Sequence, residues 1–204
     1  MISLEFLITS FLVVLAPGTG VVYTVSTGIV QGRKASIFAA IGCTAGIIPH
    51  LLATVLGLAA VMHTSALAFS ILKYAGVAYL FYVAYATFKD KSAFVVDSSF
   101  AKTPSVVLVR RAFLMNILNP KLTIFFLAFL PQFVNPVEYL PMAHLLVLSA
   151  VFMLMTLVVF VAYGFLAHAF RRLVIESATA QAMLRYGFSA AFAGLGAKLA
   201  ATEK

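Results

Sequence analysis

Apolar residues run along this chain in six long blocks separated by short polar stretches. The blocks cover about 4–26, 36–62, 66–88, 110–133, 142–169 and 183–201. Each matches the roughly 20 residues that carry an α-helix across a bilayer. Strands of a membrane barrel would alternate apolar and polar positions over about ten residues, and these runs are longer and unbroken. No Lys or Arg precedes the run Phe6–Ala16, which ends in Ala16-Pro17-Gly18 rather than a small-x-small cleavage site. It is therefore expected to be a retained first helix and not a signal peptide.

Composition turns this pattern into a class. Of 204 residues, 63% are apolar and 10% are charged, and the mean hydropathy is +1.08. A soluble domain of this size is about half apolar and a quarter charged. It would have too few charges to cover its surface. A soluble enzyme, a disordered regulator and a nucleic-acid binder are excluded on this ground. Cys43 is the only cysteine, so an intrachain disulfide or a cysteine-based zinc cluster is impossible. No cofactor and no metal are expected.

The net charge of +8 reports orientation. Ten of the 14 basic residues lie in alternate connections: Arg33, Lys34, Lys89, Lys91, Lys102, Arg110, Arg111, Arg171, Arg172 and Arg185. The opposite side holds only Lys198 and Lys204, both in the tail. Basic loops stay in the cytoplasm, which places both termini outside. The expected fold is all-α, with six transmembrane helices. A first half (about 1–88) and a second half (about 111–204) flank a cytoplasmic linker (about 89–110). Three helices per half force the second half to run inverted, the arithmetic of an inverted-repeat transporter.

Two breaks mark the candidate site. Pro17 lacks a donor, and Gly18 and Gly20 loosen the helix around Thr19. Pro120, beside Asn119 and Lys121, sits in the matching first helix of the second half. Broken backbone at membrane depth is tolerated only against protein or water. A half-helix beginning after Pro17 would turn its N–H groups toward a carboxylate; a structural kink is the plainer reading. Lys121 reads either as a countercharge or as a cap for freed carbonyls. Asn116 and Asn119 can each donate and accept, to ligand or to another helix. His50 is the proton-carrier candidate within the spans, and a helix–helix hydrogen bond is its alternative role. Lys73 is a second intramembrane ammonium, which can snorkel outward. Glu5 is the only acid in any span, which disfavours dications and cationic cargo. Gly42 and Gly46 permit close helix packing.

These residues resemble the lysine exporter (LysE/RhtB) family. The likeness runs through Ala16-Pro17-Gly18, Gly32-Arg33-Lys34-Ala35, Gly42…Gly46…His50 and Leu72-Lys73-Tyr74-Ala75-Gly76…Tyr79-Leu80. It continues through Asn119-Pro120-Lys121…Phe125-Phe126…Pro131-Gln132-Phe133 to Gly194-Leu195-Gly196. The chain departs from the pattern at Thr19, at Ala35-Ser36, and in lacking an acid near His50. The resemblance implies a bacterial inner-membrane exporter of amino acids or their derivatives, driven by protons, with two inverted three-helix repeats. Pro17, Gly18, Asn119 and Pro120 would be central motif residues. The partners implied are a small-molecule substrate, protons and membrane lipid, with a homodimer allowed. Neutral cargo fits the missing acids. A non-catalytic membrane subunit and an intramembrane enzyme are the alternatives; the enzyme lacks a nucleophile paired with a base.

Overall fold

Ser3 starts the first helix in the computed structural model, its hydroxyl accepting a 3.1 Å bond from the Phe6 N–H. The structure describes residues 2–16, 18–62, 66–89, 103–119, 122, 126, 130–134, 141–170 and 177–201. Helix α1 (Leu4–Leu15) carries Glu5 in its first turn, where a carboxylate complements the helix dipole. It closes at Ala16, whose N–H bonds back to Leu12 and Val13. Helix α2 (Thr19–Gln31) begins after Gly18, which is extended and supplies no side-chain cap. The two axes diverge by 55°. The expected first helix is thus two helices, and the second runs five residues past the expected end at 26.

Gly32 has a φ of 86°. That left-handed turn, open to glycine without steric cost, lets α2 pass directly into α3 (Arg33–Ala45). A turn at Gly46-Ile47 separates α3 from α4 (Ile48–Met62). Helix α5 (Ala66–Lys89) follows, and α6 (Ser105–Ile117) opens on Pro104. Arg110 and Arg111 therefore lie on a helix rather than in a loop. Leu108 and Ala112 are buried while the two arginines are exposed, so one apolar stripe holds the helix against its neighbours. A single 3₁₀ turn covers Leu130–Phe133. Helix α7 (Pro141–Phe165) bends at Leu166 into the short α8 (Ala167–Phe170). Helix α9 (Ala178–Ala201) starts five residues before its expected beginning at 183, because Ser177 caps it through the Ala180 N–H.

Two stretches among the described residues, Arg33–Gly57 and Met142–Phe165, are long and apolar enough to cross a membrane; counting α1 with α2 as one broken span makes three. Large apolar side chains such as Leu52, Leu56, Ile71, Leu154 and Val158 face outward, as a lipid-covered bundle requires. The protein is an all-α bundle of membrane type.

The core gathers Phe6, Val25, Ile47, Phe126, Leu148 and Phe152 from both halves of the sequence. Phe126 meets Phe152 edge-on at 4.9 Å, and Phe6 meets Phe133 at 5.3 Å. Helix α3 lies along α6, and α2 along both α3 and α7. Helices α5 and α9 pack on each other and share a smaller core of Val77, Leu80, Ala84 and Phe192. Ala16, at the end of α1, joins that second core.

Candidate functional site

The break between α1 and α2 opens a cavity of about 80 Å³. A buried water needs roughly 10–15 Å³ by the same measure, so the space takes about five waters or a small organic molecule. Its walls come from both halves of the chain. Gly18, Thr19, Gly20 and Val21 form the rim at the start of α2, and Asn116 and Asn119 stand at the end of α6. Phe152, Thr156 and Phe160 of α7 line the opposite side. Leu80 of α5 and Phe192 of α9 complete it. No charged side chain is among the described lining residues. Apolar walls with a few convergent polar groups are the usual make-up of a small-molecule site.

The two breaks meet. Asn119 Nδ2 donates to Thr19 Oγ1 at 3.3 Å, across a hundred residues of sequence. The first N–H groups of α2 have no intrahelical acceptor, and Gly18 offers them no side chain. They carry the positive end of the α2 dipole at the rim. Tyr163 donates to the Leu15 carbonyl at 2.9 Å and so satisfies one acceptor freed where α1 stops.

Asn116 is the hub beneath this rim. It is 3% exposed. Its Nδ2 donates to the Cys43 carbonyl at 2.6 Å. That carbonyl is freed by the α3–α4 turn, where the Ile47 N–H goes to Thr44 instead. The Asn116 carbonyl accepts two bonds, from the Asn119 N–H at 3.0 Å and from His50 Nε2 at 2.9 Å. Since a carbonyl only accepts, Nε2 carries the hydrogen. His50 thus hydrogen-bonds from α4 to the backbone of α6. Gly20 sits against this group: a Cβ there would lie 2.9 Å from the Phe160 ring and 3.3 Å from Asn116 Oδ1.

The structure therefore brings together Gly18, Thr19, Gly20, Asn116 and Asn119, with His50 bonded behind them. Pro17, Pro120 and Lys121 lie outside the described residues. Lys73 belongs to α5, not described in its side chain. Sequence reasoning missed Tyr163, Thr156 and the aromatic wall. Thr156 had a signal, as a lone hydroxyl inside the apolar run Met153–Phe160. The phenylalanines had none, being three among 19. Among the described residues no group of three or more His, Cys, Asp or Glu gathers to hold a metal.

A family described as LysE type translocator matches residues 11–203. The chain belongs to the LysE family. A Vibrio cholerae protein described as an uncharacterized membrane protein is 31% identical over 98% of this chain and 97% of its own length. The homoserine/homoserine lactone efflux protein of Salmonella typhimurium is 32% identical over 79% of this chain and 78% of its own. The leucine efflux protein of Klebsiella pneumoniae is 25% identical over 65% and 63%. No solved structure matches. Membership in the LysE family makes the protein a membrane-embedded exporter of small molecules and not an enzyme.

Proposed function

We propose that this LysE-family protein exports a neutral amino acid or amino-acid derivative from the bacterial cytoplasm, by alternating access around the cavity between the two helix breaks. The observation that carries the reading is the Thr19–Asn119 bond, which joins the two breaks at the mouth of that cavity. Relatives named for efflux of homoserine, homoserine lactone and leucine support cargo of this class. No carboxylate is among the described lining residues, which favours neutral cargo, because a cationic side chain would lack a partner there.

The reading includes six spans in two inverted three-helix halves, with both termini outside and protons as the driving ion. Helix pairing is consistent with it. The third helices of the two halves, α5 and α9, pack on each other, and the second helices, α3 and α7, do the same. Lys121 is read as a countercharge to the substrate carboxylate or as a cap for freed carbonyls, and unchanged transport in Lys121→Met would remove the countercharge role alone.

The deciding test is overexpression in an export-deficient strain, screened for amino-acid excretion and for resistance to amino-acid analogues. The expected result is excretion of at least one neutral amino acid, lost with Asn119→Ala. Protein-independent excretion would defeat the proposal. Cytoplasmic accessibility of a cysteine placed at position 204 would defeat the topology alone.

A further inference from the structure

Asn116 Oδ1 has no donor among the described residues. Its amide orientation is settled by its neighbour: Nδ2 points at the Cys43 carbonyl, and the flipped amide would set two oxygens face to face. Oδ1 is thereby turned the other way, toward Gly20 and the cavity that both residues line. It accepts no hydrogen bond among the described residues. An acceptor facing a cavity is satisfied by water or by a ligand held there.

Gly20 itself lies in the first turn of α2, a 13-residue helix whose leading N–H groups have no side-chain cap. One small cavity is therefore lined by the start of a helix and by a fixed acceptor. An α-amino acid carries the complementary pair on one carbon: a carboxylate that accepts and an ammonium that donates. Resting on the exporter reading above, we infer that the cargo is recognised as a zwitterion, its ammonium donating to Asn116 Oδ1 while its carboxylate takes the N–H groups at the start of α2. The side chain then points at Phe152, Phe160 and Phe192. Gly20 is part of the device, because a Cβ there would crowd Asn116 Oδ1 and the Phe160 ring. His50 and Cys43 act as positioning residues, holding Asn116 from behind through its carbonyl and its amide nitrogen.

The test uses the full chain, purified and reconstituted in liposomes of phosphatidylethanolamine and phosphatidylglycerol. Counterflow with each of the common amino acids, radiolabelled, identifies a transported one. Three unlabelled competitors with the same side chain follow: the amino acid, its 2-hydroxy acid, and its N-trimethyl derivative. A charge-assisted hydrogen bond lost from a buried site predicts roughly tenfold or more weaker competition by the hydroxy acid. The trimethyl compound keeps the charge and lacks the N–H, so it is expected to compete as poorly. In Asn116→Ala the amino and hydroxy acids should fall within about twofold of each other, on the same scale. Equal competition by the hydroxy acid in the unmodified protein overturns the inference and leaves the exporter reading intact. So does strong competition by the trimethyl compound, which would assign the ammonium to the aromatic wall. These two comparisons need no variant and stand even where Asn116→Ala fails to fold. An Asn116→Ala protein that folds and keeps the full preference also overturns it. If no amino acid exchanges, the exporter reading itself falls.

Discussion

Between α3 and α6 the backbones touch. A Cβ on Gly42 would meet the Val109 carbonyl and the Ala112 methyl, and one on Gly46 would lie 2.7 Å from Asn116 Cβ. The far ends of α2 and α7 are as close, where Gly28 faces Gly164 and Ala167. Between α5 and α9 contact is made by side chains instead. Phe192 and Leu80 are buried in their own small core, Phe88 meets Tyr186 at 5.5 Å, and Ser189 donates to the Ala84 carbonyl at 2.7 Å. Lipid gives helices no hydrophobic reason to associate, so close packing and hydrogen bonds must hold them. Backbone-to-backbone contact tolerates almost no displacement. Among the described residues the α5–α9 pair meets α1 through Val13 and Ala16 and reaches the cavity through Leu80 and Phe192.

The sharpest way to break this contrast is Gly42→Val. Its branched side chain has nowhere to go against the Val109 carbonyl, and overpacking of about 3 kcal/mol is expected. Loss of the monodisperse peak in fluorescence-detected size exclusion would report it; an unchanged melting profile would refute the rigid half of the comparison. Next is His50. Removing it in His50→Ala deprives a buried carbonyl of a partner at a cost of about 2 kcal/mol, and export should fall as Asn116 loosens. His50→Gln keeps an N–H donor and cannot carry a proton. Export surviving in Gln but not in Ala identifies an anchor, whereas loss in both assigns His50 to proton coupling.

Tyr163→Phe is smaller again, about 1 kcal/mol, because it frees only the Leu15 carbonyl at the break. A thermal midpoint lowered by a few degrees would register it. The smallest effect belongs to the α5–α9 pair. In Gly196→Ala the new methyl meets Leu80 Cβ at 3.3 Å and the Phe81 ring at 3.4 Å. Those side chains can yield, so the change should stay within about 0.5 kcal/mol. A drop as large as that of Gly42→Val would erase the distinction between the two regions.

Much of the fold was legible along the chain. Hydropathy marked the membrane helices because lipid exposure acts on each residue where it stands. Gly18 was legible as a break because a missing side chain acts on its own backbone. The starts of α6 and α9 were each expected five residues too late, at 110 and 183. Neither Pro104 nor Ser177 stood out as a helix start. In the site, Thr19 and Asn119 were legible as polar residues beside Gly18 and Pro120, but nothing local said that they touch.

The sequence by itself determined the solvent, the helical class, the weak points in two helices and the scarcity of buried acids. Each follows from one residue or a short run meeting water, lipid or its own backbone. Only the tertiary structure decided that Asn116 is held from two sides, by His50 across 66 residues and by Cys43 across 73. It alone placed the Asn116 amide oxygen beside Gly20, in the first turn of α2. Such a geometry depends on how helices far apart in sequence cross, and that crossing is set by small residues whose partners the linear order does not reveal.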